Sequence, residues 1–166
     1  MTDRYPLDPR DEIRECSECN GRSPLSSCVP CTGRGYVVVR ECERCEGAGV
    51  VPDDFYGPSE CECWGTGFLP AADQRVIEVG PYENRARTFK GFVAGYNFRE
   101  TGSQFHFGET KDEALLAARC AVWGVTTFGY GRDCPRYVYF LNGEESRCNY
   151  LTPNDALCAA IDAKEE

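Results

Sequence analysis

Eight cysteines between residues 16 and 67 fall into four close pairs, and each pair is followed by glycine. The repeats read Cys16-Ser-Glu-Cys19-Asn-Gly21, Cys28-Val-Pro-Cys31-Thr-Gly33-Arg-Gly35, Cys42-Glu-Arg-Cys45-Glu-Gly47-Ala-Gly49 and Cys61-Glu-Cys63-Trp-Gly65-Thr-Gly67. Zinc prefers four soft ligands in a tetrahedron, and two thiolates a residue or two apart can hold one edge of it while the backbone turns back toward the metal. Four such half-sites amount to two complete four-cysteine sites, so the pattern predicts two bound Zn²⁺. The glycines follow because a chain leaving a metal-gripping turn needs positive φ or a close backbone approach.

Other sulfur chemistry competes with zinc for this pattern. A disulfide framework needs an oxidising compartment, and the opening Met-Thr-Asp-Arg-Tyr-Pro lacks the apolar run of a secretory leader, so a reducing, cytoplasmic setting is expected. Thiol-disulfide exchange uses one CxxC at the start of a helix in a βαβ setting, whereas four pairs occur here in glycine-rich turns. An iron–sulfur cluster is compatible with cysteine spacing alone. Paired soft ligands favour zinc.

The four repeats resemble the cysteine-rich zinc finger of the DnaJ co-chaperone family, whose signature is four copies of CxxCxGxG, over residues 14–70. In that family the first and fourth repeats share one zinc and the second and third share the other. The resemblance thus implies one site from Cys16, Cys19, Cys61 and Cys63 and another from Cys28, Cys31, Cys42 and Cys45. It also implies a module that binds polypeptides, either unfolded clients or a dedicated partner. Two departures are visible: Ser23 replaces the second glycine of the first repeat, and the fourth is CxC with Glu60 where a cysteine is expected. No His-Pro-Asp tripeptide occurs, so no J-domain accompanies the finger and stimulation of a chaperone ATPase is not expected. The side chains expected to meet a partner are Val37, Val39, Phe55, Tyr56, Trp64 and Phe68.

The surroundings must position these turns. Residues 1–13 are polar, with Pro6 and Pro9, and are expected to be a flexible lead-in. Residues 14–70 hold little that could form an apolar core, so zinc is expected to supply the fold. Residues 35–40 are β-branched enough for a hairpin joining the two inner cysteine pairs. The cysteine pattern stops at residues 70–73, and residues 71–166 are expected to be an α+β domain.

In that domain residues 75–79 are read as a strand, 81–86 as a turn, 88–98 as a strand, and 104–107 as another. Thr110-Lys-Asp-Glu113 has the spacing of a helix capping box, and Ala114, Leu115, Ala118, Ala121 and Val122 then share one helical face. The same order recurs: residues 136–141 as a strand, Asn142-Gly143 as a hairpin turn, 146–151 returning, and Thr152-Pro153-Asn154-Asp155 opening a second helix. Residues 110–121 and 152–163 align without gaps at six identical positions in twelve. Two ββα units, about 88–124 and 135–166, are therefore expected to form one antiparallel sheet backed by two helices. The first loosely resembles the ββα units of HicB-type antitoxins and double-stranded RNA-binding domains, which implies shape and not activity.

The chain of 166 residues has a formal charge of −9, which argues against a general binder of nucleic acid or anionic membrane. Residues 1–70 carry 7 basic and 13 acidic side chains, and eight metal-bound thiolates would make that half more negative still. One basic concentration exists, Arg85, Arg87 and Lys90, with Tyr96 and Phe98 nearby, and it gives RNA or DNA binding as the alternative function. A thiol-disulfide redox protein is the second alternative. The only histidine, His106, alternates with Phe105 and Phe107 and is expected to be an exposed strand residue. Cys120, Cys134, Cys148 and Cys158 are expected to behave as small apolar residues. No phosphate-cradling, nucleophile-elbow or metal-hydrolase motif occurs, so a non-enzymatic binding module, adaptor or inhibitor is the expected function.

Overall fold

The computed structural model describes residues 2–22, 28–52, 57–96, 104–131 and 136–165. It divides into two units, residues Arg10–Gln74 and the combination of Met1–Pro9 with Arg75–Glu166.

The cysteine-rich unit is built on a three-stranded antiparallel sheet. Strand β2 (Glu12–Glu15) pairs with β3 (Tyr36–Glu41), which pairs on its other edge with β6 (Phe68–Pro70). Two short strands, β4 (Val50–Val51) and β5 (Ser59–Glu60), form a separate ribbon. The expected hairpin over 35–40 does not form. Those residues are one continuous central strand, because β2 and β6 both reach it from elsewhere in the chain and satisfy its two edges.

The core here is thin. Val38 and Val39 are buried, and the Gln74 carboxamide closes over them: its Oε1 accepts from the Val38 amide at 3.0 Å while its Nε2 donates to the Val38 carbonyl at 2.8 Å. Asp11, itself buried, accepts from Arg40 Nε at 2.6 Å, and the Arg14 guanidinium lies 3.4 Å over the Phe68 ring. Sulfur fills most of the remaining interior.

The second unit begins at the N-terminus itself. Residues 3–6 are strand β1 (Asp3–Pro6), paired antiparallel with β7 (Val76–Glu83), so the N-terminus is no flexible lead-in. Leu7 is 2% exposed, and from helix α1 (Lys111–Trp123) Arg119 donates to the Pro6 carbonyl at 3.2 Å and Trp123 to that of Leu7 at 3.3 Å. A strand this short shows no periodicity of its own; its partner fixes it.

The sheet runs β1-β7-β8-β9, with β8 spanning Lys90–Tyr96 and β9 spanning Gln104–Gly108. Ile77, Val79 and Ala94 face α1 and pack on Ala114, Leu115 and Ala118. The helix begins as its capping box demands, Glu113 N donating to Thr110 Oγ1 and the Glu113 carboxylate accepting from the Thr110 amide. It stops at Gly124, which is left-handed at φ 66°.

A second sheet, not a continuation of the first, follows: β10 (Val125–Tyr130), β11 (Arg136–Leu141) and β12 (Glu144–Glu145), then α2 (Pro153–Glu165). The expectation of one sheet backed by both helices is thereby corrected. The second repeat starts at β10, earlier than residue 135, and of the expected return over 146–151 only an isolated bridge between Tyr137 and Tyr150 forms. Asn142 and Gly143 do turn the β11–β12 hairpin, both at positive φ. Thr152 and Asp155 cap α2 reciprocally. Helix α1 serves both cores: Leu116, Cys120 and Trp123 on its other side pack with Val125, Leu157, Ala160 and Ile161.

Candidate metal centres

All eight repeat cysteines are gathered into two clusters, Cys16, Cys19, Cys28 and Cys31 in one and Cys42, Cys45, Cys61 and Cys63 in the other, with the four Sγ atoms of each within 4.8 Å of one another. All but Cys28 are buried, and none is in a disulfide.

Backbone conformation explains the convergence. The residue after each second cysteine is left-handed although none is glycine: Asn20 at φ 49°, Thr32 at 49°, Glu46 at 47° and Trp64 at 58°. Glycine at positive φ follows each of them. Holding these residues there costs roughly 1–2 kcal/mol each, so the turns persist only if something outside the backbone over-determines them. Amides freed by the turn point back at sulfur, Gly35 N to Cys31 Sγ at 3.4 Å, Gly49 N to Cys45 Sγ at 3.3 Å and Gly67 N to Cys63 Sγ at 3.3 Å. Donors of this kind stabilise thiolate ligands and orient them.

The donor set fits zinc. A tetrahedron with Zn–S of about 2.3 Å has edges of about 3.8 Å. The sulfur pairs Cys16–Cys28, Cys19–Cys31, Cys42–Cys61 and Cys45–Cys63 lie 3.6, 3.7, 3.7 and 3.6 Å apart. The thiols of each cluster titrate unequally. Burial works to raise the Cys31 thiol, but the Gly35 amide and the neighbouring thiols outweigh it and bring it down to about 6. In the other cluster Cys63 is likewise lowered, burial being outweighed by the Gly67 amide and the adjacent thiols, while Cys45 is pushed up to about 12, chiefly by burial. Four thiolates at this spacing need a cation to coexist, and the bound ion would act as a structural staple that displaces the remaining protons.

The partition differs from the one the DnaJ resemblance implies. Cys16 and Cys19 join Cys28 and Cys31, not Cys61 and Cys63; Cys42 and Cys45 join Cys61 and Cys63, not Cys28 and Cys31. The cause is strand pairing. β2 enters the first repeat and β3 leaves the second, so their pairing sets those repeats side by side, and the Cys16 amide donates to the Gly35 carbonyl at 3.0 Å. The third and fourth repeats are tied in both directions, Cys42 N to Gly67 O at 2.9 Å and Cys61 N to Gly49 O at 3.0 Å. The CxC of the fourth repeat therefore completes a site, with Cys61 taking the role of a first cysteine.

Paired replacements check this partition. Cys16→Ser with Cys28→Ser should leave one zinc per chain by native mass spectrometry, whereas Cys16→Ser with Cys61→Ser should damage both sites and leave none tightly held. The interleaved partition predicts the reverse.

The expected contact surface is mostly not a surface. Val39 is buried, Val37 packs on the first sulfur cluster, and Phe68 is half-covered beneath Arg14. Val37 and Val39 lie on the central strand β3 and Phe68 opens the edge strand β6, so only Val39 is fully buried and the other two are partly covered. Phe55 and Tyr56 lie outside the described residues. Trp64 is 85% exposed, and Val29, which sequence reasoning passed over, is 84% exposed between two ligands.

In the other unit Arg85, Arg87 and Lys90 are exposed at the β7–β8 turn. His106 is half-buried on the helix side of its sheet, opposite Ala94, and Phe105 and Phe107 are the exposed residues instead. Alternation separates the two sides but does not say which one a helix covers. Cys120 and Cys158 are partly covered, Cys148 is exposed and so departs from the expected burial, and Cys134 and Phe98 fall outside the described residues, as does the Tyr96 side chain. No described helix is long and apolar enough to cross a membrane. Comparison with protein-family models, with curated proteins and with solved structures gives no match.

Proposed function

We propose that the protein is a non-enzymatic polypeptide-binding module, chaperone-like or adaptor, in which two structural zinc ions stiffen a small β unit whose knuckles carry the contact side chains. Four thiolates per ion leave no coordination position for a substrate or an activated water, which supports a structural and not a catalytic role for the metal.

The observation that carries the reading is Trp64. Its backbone is left-handed immediately after the ligand Cys63, its amide donates to the Cys61 carbonyl at 2.9 Å, and its side chain is 85% exposed. The turn thus carries a large apolar ring to the outside on a backbone that is already ordered before any partner arrives. Val29, inside the Cys28–Cys31 turn of the other cluster, is a second exposed apolar side chain, 84% exposed. The occupant that fits is an extended apolar segment of another polypeptide.

Zinc-loaded full-length protein mixed with a reduced, carboxymethylated protein as unfolded client should show a blue shift of tryptophan emission. Trp64→Ala should remove that shift and weaken capture by about 2 kcal/mol, roughly 30-fold, as a buried aromatic anchor does. Undiminished capture by a Trp64→Ala chain that still carries two zinc ions would end this reading.

A further inference from the structure

Away from α1, the four-stranded sheet exposes rings. Register and alternation place Tyr82 of β7 and Phe105 and Phe107 of β9 on the face opposite Ile77, Val79 and Ala94, and they are 36%, 51% and 48% exposed. Tyr82 and Phe107 have centroids 4.9 Å apart, and Phe89, at the mouth of β8, lies 6.4 Å from Tyr82 and 6.3 Å from Phe107. Gly91 makes room for this arrangement, since a Cβ there would sit 2.9 Å from the Phe89 ring and 2.4 Å from the Gly108 carbonyl oxygen.

The turn beside these rings is basic and rigid. Asn84 Oδ1 accepts from the amides of Thr88 and Phe89 at 2.9 and 3.1 Å, its Nδ2 donates to Thr88 Oγ1 at 2.7 Å, and its backbone carbonyl accepts from the Arg87 amide at 2.9 Å. Arg85, Arg87 and Lys90 are held on the outside of that loop. The acidic groups on β7 are Glu83, within 3.9 Å of Arg87, and Glu78, within 3.9 Å of Arg4, so the balance at this corner is positive although the whole chain is at −9. Charges beyond the Debye length, about 8–10 Å in ordinary buffer, weigh little on it.

We infer that this corner binds single-stranded nucleic acid, with bases stacked on Tyr82, Phe89 and Phe107 and phosphates met by Arg85, Arg87 and Lys90. Rings alone would suit an apolar peptide and cations alone a duplex; rings and cations on one rigid hairpin suit a strand whose bases are splayed out. The surface belongs to the other unit from Trp64, so the two readings stand or fall separately.

The test is fluorescence anisotropy of zinc-loaded full-length protein with labelled 12-mers of oligouridylate and oligothymidylate, the matching duplex, and the unfolded client as competitor. The single strands should bind better than the duplex, with a log–log salt slope near −2, as about three phosphates at roughly 0.7 each would give. Phe107→Ala should cost at least about 5-fold in affinity and leave the slope unchanged. Arg85→Gln with Lys90→Gln should flatten the slope by about 1.4, and Trp64→Ala should have no effect. Absence of binding at 50 mM salt would overturn the inference, as would affinity indifferent to both sets of replacements or salt-insensitive displacement by the client.

Discussion

Stripping zinc with a chelator should cost residues 10–74 their fold while leaving most of the far-ultraviolet helical signal in place. Both helices lie outside that unit, and the unit's own interior is little more than Val38, Val39, Ala71 and sulfur. Four non-glycine residues held left-handed have no source of compensation once the ions leave. Structural zinc in finger peptides contributes on the order of 10–16 kcal/mol near neutral pH, far more than this core can replace. Amide exchange followed by mass spectrometry should therefore show protection vanishing across β2, β3 and β6 but persisting across α1 and α2. Exchange that stays slow in β3 after complete zinc removal would refute a metal-dependent fold.

The second large effect concerns two glycines. A Cβ on Gly49 would lie 2.2 Å from the Gly65 carbonyl oxygen, and one on Gly67 would lie 2.1 Å from that of Gly47. In the third and fourth repeats the last glycine of each thus packs directly on the first glycine of the other, backbone on backbone, where nothing can rotate aside. Gly49→Ala or Gly67→Ala should push the third and fourth repeats apart and destabilise that site by more than about 4 kcal/mol, the range reserved for outright steric or cavity defects, so that the chain retains one zinc instead of two. Gly57, also at positive φ but with open space around it, is the control: Gly57→Ala should cost only the roughly 1–2 kcal/mol of left-handed strain. Chelator competition separates the two outcomes.

What the sequence disclosed and what it withheld follow one physical line. Signals set by neighbours in the chain were legible: the eight ligands, the turn glycines, and the Thr110 and Thr152 caps depend on contacts within four residues. Choices set by distant pairing were not. Which repeats share an ion depends on β2 meeting β3, and the spacing of the cysteines is silent on that. β1 went unrecognised because its partner lies about seventy residues away. Val37 read as exposed for want of the sulfur cluster it packs on, and Phe105 and Phe107 read as interior for want of knowing which side α1 covers. Strand β10 was overlooked beside the stronger Asn142-Gly143 signal, which shifted the start of the second repeat.

The pairing of Pro6 with Val76 has a consequence of its own. Adjacent antiparallel strands are ordinarily joined by a tight turn, yet here the whole cysteine-rich unit is spliced between them, a cassette whose two ends return to one spot. A long unstructured splice would tax the closure of β1 onto β7, because bringing distant ends together costs chain entropy that grows with length. If the cysteine clusters hold zinc, ordering the cassette would shorten that connection in effect, and stripping the metal would then be expected to loosen β1.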